Sequence, residues 1–394
     1  MSIMTLYIVV ESFISPETGH RVIGGTETWT AALIDLSAKM DWDVVVLQKS
    51  QYPQITADGN YRLITWQKES DLHDTLRTLR KSAPGIVLLY GETFHPHASE
   101  LPTVLIHHGI GGDGTFDKTG TPLPLLKIKD IRRRWMWFRA SKNDLNFYRS
   151  LSRVIAVDTN VINQFRYAWP MIDVGNFLTY VPNWGDVLEE ETALQKWGAF
   201  KQQPVVLFLR RFRFLRGALL WAECLKQLAP QFPGVEFHCV GHGEYQEPFG
   251  LLAKHFKNVK TYLQPHDKVK ELYERSHLSV VPSLYSEGTS LSAIEAMCGG
   301  CAVIASNVGG LGNLIIPDAN GYLIEPTVDN FTRVVTHCLK SPEETQAQGM
   351  RAREIAKHGL SLECWEKRIT AILLETMEQR NSWLERRFLP HFHM

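Results

Sequence analysis

The sequence predicts an α/β protein built from two doubly wound parallel sheets. Three observations support this fold class: a length of 394 residues, short apolar runs that alternate with helical patterns, and a break in that alternation near the middle of the chain. A chain of this length exceeds what one ordinary hydrophobic core accommodates, so two domains are expected. Two domains imply a cleft between them.

In the first half of the chain, the apolar runs have the length and composition of buried strands. They are TLYIVV (5–10), DVVVLQ (43–48), RLITW (62–66), GIVLLY (85–90), TVLIHH (103–108) and RVIAVD (153–158). Continuous apolar strands separated by helices are typical of a parallel sheet that is covered on both faces. Trp29 and Leu33 begin an apolar stripe at helical spacing, which predicts a first crossover helix over residues 26–40.

A second series of strands follows a break at residues 181–203, where Pro, Gly and a charge run predict an interdomain linker. Its runs are PVVLFLR (204–210), VEFHCVG (235–241), NVKTYL (258–263), HLSVVPS (277–283), CAVIAS (301–306) and GYLIEP (321–326). From about residue 342 the chain reads as helices only. The predicted domains are residues 1–190 and 191–374.

The composition excludes several classes of protein. Lys plus Arg equals Asp plus Glu at 42 each, so no global field recruits nucleic acid, and no nucleic-acid partner is expected. The first residues have no basic region or cleavage site typical of a signal peptide, and no run of 18 apolar residues predicts a spanning helix. A cytoplasmic location is therefore expected. The six scattered cysteines are expected to be reduced, buried thiols.

The densest motif is a pair of carboxylates, Glu287 and Glu295, between two predicted strands. A loop containing Gly288, followed by a helix N-terminus, can bind a pyrophosphate through backbone amides and the helix dipole. Glu295, two turns later, would point into the same cleft and could accept both hydroxyls of a ribose. The alternative is that Ser292 and Glu295 form a helix capping box, which would make Glu295 structural.

Upstream of that motif, the segment LFLRRFRFLRG (207–217) places Arg211 and Arg216 directly after a strand. Arginine pairs bidentately with phosphate oxygens, so the two side chains can bracket a diphosphate. The alternative is a solvated basic loop, although Arg210 and Arg213 enlarge the cluster.

Together these segments resemble the E-x7-E and G-R-x4-K-G regions of retaining GT-B glycosyltransferases of family 4. The resemblance covers residues 200–375 well and the first domain weakly. Arg210 stands where the family usually has Gly, and Arg216 stands for the usual Lys. The resemblance implies a GT-B architecture, in which two Rossmann-like domains face a central cleft and a last helix, about 375–394, crosses back to the first domain.

The resemblance also implies an activity, namely transfer of a hexosyl or deoxyhexosyl group from a nucleoside diphosphate sugar, with retention of configuration. The acceptor would be a saccharide, a lipid-linked sugar or another small molecule, as in polysaccharide biosynthesis. Glu287 would orient or stabilise the donor sugar, and Glu295 would bind the ribose. Arg211 and Arg216, with the helix dipole, would neutralise the leaving diphosphate, so neither a metal nor another cofactor is expected.

The same resemblance names further donor-binding positions on both sides of the cleft. They are Gly288, Thr289, Ser290, Leu291, Gly24 and Gly25. The catalytic residues that the resemblance implies are Glu287 and His108; His108 follows a strand and precedes Gly109, as does a family His that lies beside the donor sugar. A residue at the carboxyl end of a parallel strand faces the ligand crevice. His107 is the alternative, and either could be a core histidine.

Other candidates are weaker. Cys298 and Cys301 form a Cys-x-x-Cys pair for which packing is favoured over zinc or redox chemistry. His95 and His97 have metal-like spacing, but no third ligand is apparent. Residues 125–142 interleave basic and aromatic side chains, so they are either a half-buried helix or a peripheral contact with the inner face of the membrane.

Fold does not determine chemistry, so two alternatives to a transferase are kept. One is an epimerase or phosphorylase on the same architecture. The other is a regulatory module that binds a nucleotide sugar without turnover.

Overall fold

The computed structural model describes residues 4–22, 24–52, 54–90, 101–109, 147–148, 150–169 and 174–378. These residues form two α/β units, each built around one sheet. No helix among them is long and apolar enough to cross a membrane.

The first sheet has eight strands in the order β3-β4-β2-β1-β5-β6-β7-β8. Their bounds are β1 Thr5–Val10, β2 Asp43–Lys49, β3 Ile55–Asp58, β4 Tyr61–Trp66, β5 Gly85–Tyr90, β6 Thr103–His107, β7 Arg153–Ala156 and β8 Leu178–Tyr180. Neighbouring strands are parallel except for the antiparallel pair β3 and β4. The described helices of this unit are α1 Gly25–Lys39, α2 Glu69–Ser82, α3 Thr159–Ala168 and α4 Val174–Phe177.

The second sheet has six parallel strands in the order β11-β10-β9-β12-β13-β14. Their bounds are β9 Val205–Leu209, β10 Glu236–Val240, β11 Val259–Tyr262, β12 Leu278–Val281, β13 Ala302–Ser306 and β14 Gly321–Ile324. The helices are α5 Glu190–Gly198, α6 Ala218–Gln231, α7 Gln246–His255, α8 Val269–Arg275, α9 Leu291–Cys298, α10 Val328–Lys340 and α11 Pro342–Gly359. In both sheets the strand order reverses beside the first strand, and ligands of doubly wound folds bind at such a switch point.

Both sheets are covered on both faces, which explains their continuous apolar strands. In β1, Leu6 and Ile8 pack into a cluster with Trp29 of α1, whereas Tyr7 and Val9 pack into the cluster on the opposite face. The second sheet is likewise enclosed between two buried clusters. The predicted α/β class with two parallel sheets is therefore confirmed. The sequence pattern missed only the short strands β3 and β8.

The last described helix, α12 (Leu362–Glu378), packs on the first unit, as expected. Its apolar face joins the core cluster that contains Trp29, and the rings of Trp365 and Trp184 lie 4.1 Å apart. Lys39 contacts Glu366 at 2.6 Å. Because this single helix begins at Leu362, the expected division near residue 375 falls inside it.

Two stretches of chain connect the units, and they lie side by side. The backbone N–H of Gly185, in the first crossing, donates to the carbonyl of Leu360, in the second, at 2.9 Å. Gly185 and Ser361 also form an isolated parallel bridge. Next to this contact, Asn183 accepts a hydrogen bond from the indole of Trp29 at 2.7 Å and donates its side-chain amide to the carbonyl of Thr289. These bonds tie the first unit to the loop before α9.

Candidate active site

A cavity of about 530 Å³ lies between the two units, at the carboxyl ends of β6, β9 and β10. It brings together nearly all the predicted site residues. They are Gly25, His108, Arg211, Arg216, Glu287, Gly288, Thr289, Ser290, Leu291 and Glu295. Gly24 directly precedes this group as the N-cap residue of α1. The sequence motifs thus meet in one place although they come from both units.

Glu287 lies at the centre of a cluster of positive charge. Its carboxylate accepts two hydrogen bonds from Arg210, at 2.6 and 2.8 Å, and one from the hydroxyl of Ser283. Arg216 contacts the same carboxylate at 2.7 Å. Burial alone would raise the pKa of Glu287, but the charges of Arg210 and Arg216 outweigh burial and lower it to about 2. Glu287 is therefore a fixed anion at neutral pH.

Glu295 lies on α9 and has the opposite electrostatic setting. Its carboxylate accepts a hydrogen bond from the Tyr273 hydroxyl at 3.2 Å, and no ion pair forms with it among the described residues. Burial raises the pKa of Glu295 to about 7, and the charge of Asp186 adds to the rise, while the Tyr273 hydrogen bond opposes it. The group can therefore exchange between charged and neutral forms near neutral pH.

The capping-box alternative for Glu295 is wrong. Helix α9 begins at Leu291 with Ser290 as its N-cap residue, so Ser292 and Glu295 both lie inside the helix. No described side chain caps the first turn of α9. Ser290, Leu291 and Ser292, at the N-terminus of the helix, all line the cavity. Free amides at a helix N-terminus favour an anion.

Backbone from the two units meets closely at Gly288. A Cβ atom on Gly288 would lie 2.5 Å from the carbonyl oxygen of His108 and 2.6 Å from Val157. On the other side, Gly109 has a φ of +120°, and a Cβ there would lie 2.9 Å from the Gly288 nitrogen. No side chain fits at either position, so this close approach of the two loops requires glycine at both.

His108 lines the cavity from the first unit, whereas His107 does not. The His108 ring stacks on Tyr90 at 5.6 Å and meets Trp29 edge-on at 5.8 Å. Burial, and secondarily the charge of His107, lowers the pKa of His108 to about 4. Its Nε2 atom is buried and has no hydrogen-bond partner among the described residues. The ring is therefore neutral and retains one unused polar atom.

Several residues of the site were not predicted as such. Arg210 and Ser283 contact Glu287, Tyr273 contacts Glu295, and Asn183 joins the units. For Arg210 a signal existed, because it belongs to the basic run after β9. For Asn183 and Tyr273 the sequence carries none, since single polar residues in apolar surroundings mark no particular chemistry.

The remaining candidates from the sequence are the cysteines and the possible metal ligands. Cys298 and Cys301 are both buried free thiols, as are Cys224, Cys239 and Cys338, while Cys364 is partly exposed. Within the described ranges no three His, Cys, Asp or Glu side chains come close enough to hold a metal ion. Asp41 and Asp43, which form an Asp-x-Asp pair at the start of β2, are exposed and do not line the cavity. His95, His97, residues 125–142 and the chain after 378 lie outside the described residues.

Comparison with known proteins places this geometry in context. Residues 189–355 match the family model of glycosyl transferases group 1. A trehalose synthase from Pyrococcus horikoshii is 21% identical over 59% of this chain and 62% of its own length. A D-inositol 3-phosphate glycosyltransferase from Segniliparus rotundus is 28% identical over 46% of this chain and 40% of its own length. The chain thus spans less than two thirds of the curated relatives it matches.

Solved structures resemble nearly the whole chain. Sucrose-phosphate synthase from Thermosynechococcus elongatus superposes with a TM-score of 0.69 at 18% identity, covering 95% of this chain and 99% of its own. Anabaena HepE in complex with UDP gives a TM-score of 0.66 at 17% identity, covering 95% and 100%. Residues 189–355 are therefore similar to glycosyl transferases group 1, and the chain has a two-domain fold like that of GT-B glycosyltransferase structures.

Proposed function

We propose that the protein is a retaining glycosyltransferase that uses a nucleoside diphosphate sugar as donor. The observation that carries the proposal is the cavity itself, which is lined by Arg211, Arg216 and the N-terminus of α9, with Glu295 about one turn into that helix. Cations and free amides match a diphosphate, and a carboxylate at this distance along the helix matches a ribose. The structural neighbour HepE, crystallised with UDP, supports this choice of donor class.

In the proposed reaction, the bond between the anomeric carbon and the diphosphate breaks, and the acceptor oxygen bonds to that carbon. The acceptor proton leaves with the diphosphate, which gains negative charge as the bond breaks. Arg211 and Arg216 stabilise that charge in the transition state more than in the ground state. No metal is assigned to this role, and neither is any other cofactor.

We place the acceptor, a saccharide or lipid-linked sugar, on the first unit, and His108 beside the donor sugar. The neutral ring, with its unused Nε2 atom, is suited to contact a sugar hydroxyl rather than a phosphate. The sugar group is proposed to be a hexose or deoxyhexose. Contact of residues 125–142 with a membrane surface stays a separate hypothesis, which vesicle binding by the protein and by an Arg132→Ala, Arg133→Ala, Arg134→Ala variant tests.

The test begins with UDP-, GDP-, ADP- and dTDP-sugars in thermal denaturation, because a donor that binds the native state raises the melting temperature. The stabilising donor is then incubated with candidate acceptors, and release of nucleoside diphosphate and the anomeric configuration of the product are followed by NMR. Acceptor-dependent release with retention supports the proposal. Donor binding without turnover would instead indicate a regulatory module, and turnover without an acceptor would indicate an epimerase or hydrolase.

A further inference from the structure

Two arginines hold Glu287, but they differ in burial. The Arg210 side chain is 6% exposed and donates to both carboxylate oxygens of Glu287 and to Ser283. The Arg216 side chain is 41% exposed and contacts one oxygen at 2.7 Å. The same anion is therefore bound once from the interior of the second unit and once from the open cavity.

This difference in burial decides which contact can be exchanged. Separating a buried ion pair leaves an uncompensated charge in the protein interior, which is strongly unfavourable. The contact with Arg216 costs less to break, because the partly exposed guanidinium can be solvated by water or bound by another anion, while Arg210 still compensates the charge of Glu287. Arg210 must therefore stay with Glu287, whereas Arg216 can leave it for another anion at small cost.

The residue type at position 210 is also relevant to how Glu287 is held. In the segment that this region resembles, Gly usually precedes the first phosphate-binding arginine, and Gly has no side chain that could reach Glu287. With Gly at this position, Arg216 would be the remaining guanidinium on Glu287 among those described here. Arg210 thus gives this chain a second partner for the carboxylate.

We propose that Arg210 is a positioning residue that retains Glu287 in place while Arg216 exchanges the Glu287 carboxylate for the diphosphate of the incoming donor. The proposal rests on the proposed function for the identity of that diphosphate. Before the donor arrives, Glu287 is an internal anion that competes for Arg216. Arg210 weakens this competition because it shares the charge of Glu287.

Inorganic pyrophosphate is the probe, since it occupies a diphosphate subsite whatever the base or sugar. Its dissociation constant is measured by calorimetry for the unmodified protein, Arg210→Met, Glu287→Gln and the double variant. We expect Glu287→Gln to tighten pyrophosphate binding about fivefold, because the competing anion is gone. We expect Arg210→Met to weaken binding by about fivefold when Glu287 is present, and by less than about twofold in the Glu287→Gln background.

Three results would overturn the proposal. Equal weakening by Arg210→Met in both backgrounds would mean that Arg210 binds the anion directly. No weakening in either background would mean that Arg210 does not position Glu287. Weaker binding in Glu287→Gln would mean that Glu287 does not compete for Arg216, and this variant decides the matter even if Arg210→Met does not fold.

Arg210→Lys adds a control for charge without the bidentate geometry. It should bind pyrophosphate within about threefold of the unmodified protein, because one cation still shares the Glu287 charge. Pyrophosphate binding as weak as in Arg210→Met would contradict the proposal. The binding cycle involves neither sugar nor acceptor, so an absence of glycosyl transfer would count against the proposed function and leave the cycle interpretable.

Discussion

The two walls of the central cavity differ in chemistry. The wall from the second unit carries arginines and two glutamates, and its ion pairs hold Glu287 charged. The wall from the first unit presents Gly25, the neutral ring of His108 and the amide of Asn183. A ligand with one anionic end and one uncharged end is complementary to such a cavity. We therefore expect the second unit to bind the charged part of a ligand and the first unit to contact its uncharged groups.

The largest expected effect comes from removing charge on the second wall. Arg211→Ala and Arg216→Ala should each lower kcat by about 10² to 10³, by analogy with the loss of a single oxyanion donor. Arg216→Lys should retain more activity, because it keeps the charge and loses only the bidentate fork. Steady-state kinetics with the identified donor measures this.

The control for the arginine variants is Arg333→Ala, because Arg333 is exposed on α10 and does not line the cavity. It should behave as the unmodified protein does. Near-normal rates in both Arg211→Ala and Arg216→Ala would contradict a functional difference between the charged wall and the neutral wall.

A smaller effect is expected at Glu295. Glu295→Ala should weaken donor binding by roughly 1.5 to 3 kcal/mol, because it removes hydrogen bonds to a charged group. Since burial raises the pKa of Glu295 to about 7, the charged form that accepts hydroxyls is lost as the pH falls below that value. Donor affinity should then decrease by up to about tenfold between pH 8 and pH 6.

The matched control for this pH dependence is Glu295→Gln, which keeps the shape of the side chain and does not titrate. Calorimetry should find its donor affinity independent of pH over the same interval. A pH dependence that persists in Glu295→Gln would assign it to another group.

On the neutral wall, the expected effect is on stability. Burial lowers the pKa of His108 from 6.5 to about 4, so the unfolded chain binds the proton more tightly than the folded protein does. The associated stability is present above pH 6.5 and is lost as the pH falls towards 4. His108→Phe, which keeps an aromatic ring, should reduce the loss between pH 7.5 and pH 5 by roughly 1 to 2 kcal/mol.

Urea denaturation at the two pH values measures the difference. Part of the acid sensitivity should persist in His108→Phe, because burial also lowers the pKa of His277 to about 4. The exposed His20 provides the matched control, since His20→Phe should lose as much stability on acidification as the unmodified protein. Equal losses in His108→Phe and His20→Phe would show that the first wall is not kept neutral by His108.

The smallest effect is expected from chelation. If the arginines and the amides of α9 carry the leaving group, EDTA should leave the rate of transfer unchanged. Loss of activity in EDTA, with recovery on adding magnesium or manganese, would mean that a divalent ion completes the charged wall.

Most strands and helices of this protein could be predicted from its sequence, because the spacing of apolar residues indicates which face of an element is buried. The continuous apolar runs predicted the main strands of both sheets, and the spacing of Trp29 and Leu33 predicted the buried face of α1. Strands β3 and β8 could not be found in this way. They are short, and they lie at the two edges of the first sheet.

The site was predictable to the extent that its residues occur in motifs. Glu287, Glu295, Arg211 and Arg216 stand at fixed spacings, and all of them line the cavity. The contacts between motifs were not predictable. Arg216 contacts Glu287, and Tyr273 donates a hydrogen bond to Glu295. Both contacts depend on how separate elements meet in three dimensions.

The paired crossings between the units have a mechanical consequence. A single covalent connection would let the domains twist as well as open, whereas the bond from Gly185 to Leu360 joins two connections into one narrow strip. Two adjacent crossings resist twisting more than a single one would, so we expect the units to move relative to each other mainly by rotation about this strip. We expect the cleft to open and close about this one axis, so that its two walls meet in the same alignment each time.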